Sequence, residues 1–192
     1  MGMKHTVLTS LAAFAALVLP AASQAALPQG ARAPQIVTQG ALDGKPFNFD
    51  LRAALRHGPV VLYFYPKAFT QGCTLEAHAF AEAADQFRAA GATLIGMSND
   101  DLPTLQRFST AECRSKFPVA VASPQTIRAY DVPLVLPPAM AARAAAMPQG
   151  LASRTSFVIA RDGRVALAYS NLDYRDHVKQ TLDAVKALAP RR

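Results

Sequence analysis

Apolar and polar positions follow several rhythms along this chain, and each predicts an element. The run Val60-Val61-Leu62-Tyr63-Phe64-Tyr65 is apolar throughout and stops at Pro66. Unbroken apolarity of that length fits a strand covered on both faces, which predicts the middle of a sheet. Upstream, Ile36 to Thr38 and Phe47 to Phe49 flank Asp43-Gly44, a turn dipeptide suited to a hairpin, with Phe47 and Phe49 on one face. Asp50 is placed to cap a short helix from Leu51 to Gly58, and the Pro- and Ala-rich stretch from Ala26 to Ala33 is expected to be a loose lead-in.

Beyond Pro66 the period lengthens. Phe80, Ala83, Ala84 and Phe87 recur at helical spacing in a segment that starts near Cys73 and stops at Gly91. Thr93 to Met97 reads as a strand, and Ser98-Asn99-Asp100-Asp101 supplies caps for a helix on which Leu102, Leu105 and Phe108 share a face. Pro103 suits its first turn, and Cys113 falls at or just past its end. Val119-Ala120-Val121 is a further short strand, followed by a capped turn of helix from Ser123-Pro124 towards Tyr130.

From Asp131 to Ser153 the pattern changes. Pro133, Pro137, Pro138 and Pro148 bracket an Ala- and Met-rich segment, Met140 to Met147, that reads as an insertion of two helical turns. It is either a short helix lying on the core or an adaptable contact for a partner. Thr155 to Ala160 and Val165 to Tyr169 surround Arg161-Asp162-Gly163-Arg164, a second hairpin, and Val178, Leu182, Val185 and Ala189 mark a terminal helix. Helices alternating with strands, closed by an antiparallel hairpin, predict an α/β layered domain with a central mixed sheet flanked by helices and an N-terminal β-hairpin.

Composition narrows this picture. A chain of 192 residues, 51% hydrophobic, suffices for one well-buried domain. Its first 25 residues read as a signal peptide: Lys4 gives a positive start, Val7 to Leu19 an apolar centre, and Ser23-Gln24-Ala25 small residues before a cut after Ala25. The apolar run falls short of the roughly 20 residues a membrane span needs, so no stable membrane insertion is expected. The domain then covers 26–192 and is periplasmic or secreted. Losing Lys4 takes the net charge from +7 to +6. The remaining Lys and Arg residues form no stripe, so no nucleic-acid partner is expected, and the dispersed charge either aids solubility or attracts an acidic reductase.

Two cysteines in an exported chain form, by default, a structural disulfide. Cys73 argues against that default. It follows a proline-ended strand and opens a helix, where unpaired amides favour negative charge, so its thiol is expected to ionise readily and to act as a nucleophile. Thr70, three residues earlier, is expected to turn its hydroxyl towards the sulfur or a substrate oxygen. His78 is either a base or a packing residue on the helix. The four histidines and two cysteines form no spaced metal set, and no cofactor is expected.

Pro66, Thr70 and Cys73 stand in a P-x-x-x-T-x-x-C spacing. The run Tyr63-Phe64-Tyr65-Pro66-Lys67, with Phe69-Thr70 and Gly72-Cys73-Thr74-x-Glu76-Ala77, resembles the bacterioferritin-comigratory or Q-type branch of the peroxiredoxins. The match departs at Ala68 and Gln71, where the branch has Asp and Pro, and at His78, which stands where many members carry a resolving cysteine. The resemblance implies a thioredoxin-like fold and a thiol-dependent peroxidase. Cys73 would be the peroxidatic cysteine, with Pro66 and Thr70 its loop partners. Arg154, in Arg154-Thr155-Ser156-Phe157, matches the arginine that members bring from a later strand; read by itself it is equally a surface charge at a strand start. Glu76 either pairs with that arginine or simply favours the helix start. Cys113 matches members whose resolving cysteine lies in the helix after the next strand, which implies an intramolecular disulfide. The implied partners are a peroxide and a thioredoxin-like or other thiol reductant, the assembly a monomer or homodimer. Two other readings stand beside this one. A disulfide exchange protein would use Cys-x-x-Cys, and Glu76 occupies its fourth position; a binding module would hold a static bridge between Cys73 and Cys113.

Overall fold

Asp43 and Gly44 both adopt positive φ, 51° and 72°, and so turn the chain tightly between β1 (Val37–Leu42) and β2 (Lys45–Asp50). That is the first hairpin of a computed structural model that describes residues 26–136, 139 and 150–189. The Asp50 carboxylate accepts from the Ala53 amide at 3.0 Å and starts α1 (Leu51–Leu55). Next come β3 (Val60–Phe64), α2 (Gln71–Ala89), β4 (Thr93–Ser98), α3 (Leu102–Ala111), β5 (Val119–Val121) and α4 (Pro124–Ala129). The chain closes with β6 (Thr155–Ile159), β7 (Val165–Ser170) and α5 (His177–Ala187).

These strands form one mixed sheet in the order β2-β1-β5-β4-β3-β6-β7, in which β3, β4 and β5 run parallel and their neighbours antiparallel. The centre belongs to β4, with β3 one place to its side. All five β3 residues are buried, as its apolar run requires, and they alternate strictly between faces. Val61 and Tyr63 enter a cluster with Phe80 and Phe87 of α2, Phe108 of α3 and Val185 of α5. Val60, Leu62 and Phe64 enter the opposite cluster with Leu51, Ile127, Tyr130 and Phe157. Each helix therefore buries its apolar stripe on one side of a sheet that is itself apolar on both.

The lead-in is docked rather than loose. The Leu27 amide donates to the Tyr130 carbonyl at 3.1 Å, and Gly30, Ala31 and Ala33 exchange backbone bonds with Val165 and Gly163. Asp101, not Asp100, caps α3, accepting from Thr104 at 2.8 Å. Ala189 lies exposed beyond α5. The expected signal peptide and the two turns from Met140 to Met147 lie outside the described residues. The ends of that insertion are pinned together, with the Leu134 amide on the Leu151 carbonyl at 2.8 Å and Ser153 on Val132 at 2.7 Å. Among the described residues, no helix is long and apolar enough to cross a membrane.

Candidate active site

The loop after β3 is held from below by Asp100. Its carboxylate accepts from the Ala68 amide at 2.8 Å, Lys67 Nζ at 3.1 Å and Ser98 Oγ at 2.9 Å, which fixes the path from Pro66 to Thr70. Phe69 takes a left-handed conformation there (φ 62°), and its ring meets Phe108 edge-on. Thr70 is the N-cap residue of α2. Its hydroxyl donates to the Lys67 carbonyl at 2.9 Å and caps no amide, so it closes the loop.

Helix α2 begins at Gln71, two residues before Cys73, which puts the sulfur in the first turn rather than at its opening. Cys73 is 2% exposed. Arg154, directly before β6, reaches it with Nη2 at 3.6 Å from Sγ. The same guanidinium donates through Nη1 to Glu76 Oε2 and through Nε to the Leu172 carbonyl at 2.9 Å. Gly72 leaves room for this approach, because a Cβ there would stand 3.1 Å from Nη2. Burial works against the charge on Arg154, but Glu76 and Cys73 outweigh it and hold the guanidinium above its ordinary range. Burial lifts Glu76 to about 8 against the pull of Arg154.

Cys113 lies one residue past the C-cap of α3, fully buried in the same core cluster as Cys73, and both are free thiols. Burial, with Glu112 adding to it, pushes the Cys113 thiol far above its ordinary range. His78 Nε2 stands 2.7 Å from Glu112 Oε2, tying α2 to the segment that carries Cys113. Cys73, Arg154 and Glu76 are thus in direct contact, Pro66 and Thr70 shape the entering loop, and Cys113 follows the end of another helix within the same buried cluster.

Two residues that sequence reasoning missed stand out. Asp100 reads as one of four caps, and only the fold shows that it holds the loop. His177, fully buried at the start of α5, places Nδ1 2.8 Å from Ser156 Oγ and 3.7 Å from Glu76 Oε1, with Nε2 2.9 Å from the Asn171 carbonyl. No motif signals it, since 101 positions separate it from Glu76.

A thiol in a helix's first turn beside a fixed guanidinium is placed to attack an electrophilic oxygen or sulfur. Comparison with known proteins gives this chemistry a context. The AhpC/TSA family matches residues 29–168. The chain is 33% identical over 134 residues to the chloroplastic peroxiredoxin Q of Suaeda salsa, a match over 68% of this chain and 56% of that protein. The peroxidoxin BcpB of Mycobacterium tuberculosis superposes with a TM-score of 0.68 at 27% identity, covering 84% of this chain and 98% of its own. A Xanthomonas campestris bacterioferritin comigratory protein, whose structure bears on alkyl peroxide reduction, gives a TM-score of 0.63 at 28% identity, over 78% of this chain and 90% of its own. The mixed sheet and its helices are the thioredoxin-like fold those structures share. By sequence and by fold, the chain belongs to the AhpC/TSA family of peroxiredoxins.

Proposed function

We propose that this protein is a thiol-dependent peroxidase in which Cys73 is the nucleophile. The contact between Arg154 Nη2 and Cys73 Sγ in the first turn of α2 carries the reading. The Cys73 thiolate attacks the distal oxygen of a hydroperoxide, the O–O bond breaks, and with one proton the products are a Cys73 sulfenic acid and an alcohol or water. Arg154 steadies the thiolate and the charge that develops on the oxygens. Pro66, which has no amide hydrogen, bends the strand into the loop, and Thr70 holds the loop's shape. Cys113 then condenses with the sulfenic acid, releasing water and forming a disulfide that a thioredoxin-like or other dithiol reduces.

Organic hydroperoxides suit the site as well as hydrogen peroxide does. Phe69 and Leu75 flank Cys73 in sequence and Leu172 follows β7 beside Arg154, and all three are exposed apolar side chains. The leader 1–25 directs the domain 26–192 to the periplasm or the exterior, where it works as a monomer or homodimer.

The test is replacement of each sulfur. Cys73→Ser abolishes peroxide consumption, whereas Cys113→Ser gives a single turnover and accumulates sulfenic acid. Full multi-turnover activity in Cys73→Ser would overturn the assignment.

A further inference from the structure

Four arginines from three parts of the sequence converge in the fold. Arg32 comes from the lead-in, Arg52 and Arg56 from α1 and its C-cap, and Arg161 from the β6–β7 turn, and together they line a cleft of about 440 Å³. That is the size of a small-molecule site. Arg56 precedes Val60 and Arg161 follows Ile159, and these two strand residues are paired; Cys73 lies beyond the other end of β3. The cleft and the thiol therefore stand at opposite ends of the strand.

The arginines are held by neutral groups. Arg161 Nη2 donates to the Arg56 carbonyl at 3.0 Å and Arg32 Nη1 to the Asp162 carbonyl at 3.5 Å, contacts that fix a guanidinium without neutralising it. Arg52 and Arg56, four residues apart, fall on one side of α1. The carboxylates nearby are engaged elsewhere. Asp162 accepts from the Arg164 amide at 3.0 Å and faces Arg164 Nε at 4.0 Å. Asp50, two residues from Arg52, accepts from the Ala53 amide at 3.0 Å and from Gln35 Nε2 at 2.8 Å. Among the described residues the arginines in ion pairs are Arg88, Arg114, Arg154, Arg164 and Arg175, none of them in the cleft lining. Four guanidinium groups against one aspartate leave the lining with a surplus of three positive charges. Gathered in a concavity, like charges focus the field on whatever enters it. Arg52 and Arg56 also suit the C-terminal end of α1, but that does not account for Arg32 and Arg161, which come from other segments.

We propose that this cleft binds a soluble anion carrying two or more linked phosphates. A guanidinium meets such groups through paired N–H donors. A carboxylate presents two oxygens in one plane and satisfies one fork, whereas linked phosphates present oxygens on several sides, as arginines from three segments require. Each phosphate brings about 1.5 to 2 negative charges, so two match the surplus. The concave shape favours a ligand taken from solution over a bilayer, which presents its headgroups as a plane.

The probe is inorganic tripolyphosphate, titrated calorimetrically into the protein at about 0.15 M salt, where loose surface attraction is screened. It binds at one site per chain, and orthophosphate binds at least about tenfold more weakly because it reaches fewer of the forks. Arg52→Ser and Arg161→Ser each weaken tripolyphosphate about tenfold, the scale of a lost charge-assisted hydrogen bond. The pair Arg88→Ser and Arg107→Ser removes as much charge from α2 and α3 and leaves the affinity within about twofold of the parent. No binding of tripolyphosphate overturns the proposal. So does an equal loss in the two double variants, which would make the attraction one of net charge, and so does binding to phosphatidylglycerol vesicles alone, read by co-sedimentation. Where Arg161→Ser, which also loses the bond to the Arg56 carbonyl, does not fold, Arg52→Ser against Arg107→Ser decides. No readout involves Cys73, so the result is independent of the peroxidase reading.

Discussion

Arg154 joins three parts of the chain at one guanidinium: the Leu172 carbonyl after β7, Glu76 on α2 and the sulfur of Cys73. Its replacement by Ala removes the fixed charge beside the thiol. Cys73 alkylation then moves to higher pH and peroxide consumption falls, on the order of a hundredfold, the scale of a lost transition-state donor. Arg154→Lys does not rescue it, because an ammonium's three donors share one nitrogen and cannot span acceptors that meet three separate guanidinium nitrogens. An unchanged pH profile of alkylation would remove Arg154 from the site. Glu76 gives a stability test with a definite sign. A carboxyl raised from 4.5 to about 8 in the fold contributes stability that is full below its unfolded value and is lost as pH rises through the folded one. His177, lowered to about 4, acts in the other direction and only below about 6.5. Between about pH 6.5 and 8 the Glu76 effect therefore stands alone, and urea unfolding shows the parent losing on the order of 1 kcal/mol more than Glu76→Gln over that range. At this scale the sequence spoke unevenly. Cys73 is legible from its place between an apolar strand and a helical pattern, although α2 begins two residues before it, and Arg154 only through a family resemblance. His177 and Asp100 were silent, because their partners are tertiary neighbours and local spacing carries no trace of them.

Elements were more legible, since periodicity is a local property. The β3 run, the Phe80 to Phe87 stripe, the two hairpins and the Asp101 and Ser123 caps lie where alternation and turn chemistry place them. The lead-in misled because Pro and Ala describe the chain's stiffness and not the sheet edge that receives it. How the two sulfurs meet is a question of elements. Cys73 sits in the first turn of α2, while Cys113 follows α3 and is tied by its amide to the Phe108 carbonyl at 3.0 Å. A disulfide needs Cα atoms within about 7 Å, so either the sulfurs are already adjacent or helix ends must open. The segment after Cys113 is suited to opening, because Arg114 and Ser115 both hold positive φ, 49° and 55°, which non-glycine residues adopt at a cost. Hydrogen exchange is expected to show protection at Thr74 to Ala79 and Glu112 to Lys116 in the reduced protein and its loss in the oxidised one. His78→Ala, which cuts the 2.7 Å link to Glu112, should speed disulfide formation a few-fold in stopped-flow measurements. Identical exchange in both forms, with the disulfide confirmed by mass, would mean that no opening accompanies the cycle.

Across the whole molecule, the two faces of the sheet do different work. One cluster carries both cysteines, α2, α3 and α5, and so couples the site to the packing of Tyr63, Phe80 and Phe108; the other, with α1 and α4, is structural. The lead-in belongs to the second. Ordering the eight residues from Ala26 to Ala33 costs conformational entropy of about 1 to 2 kcal/mol each, so a stretch of Pro and Ala stays put only if the sheet rewards it. The reward is visible. Ala26 and Leu27 pack against the cluster around Tyr130, Leu27 bonds the Tyr130 carbonyl, and Arg32 bridges to Arg164 beside the backbone bonds to Val165 and Gly163. If cleavage follows Ala25, the mature chain keeps all of these contacts; a cut even eight residues later would strip them. A chain beginning at Ala26 should therefore unfold in urea with on the order of 2 kcal/mol more stability than one beginning at Pro34, while Cys73 alkylation, on the opposite face, is the same in both. Equal unfolding midpoints would show that the strap adds nothing. A shifted alkylation profile would show that the two faces are coupled through the sheet.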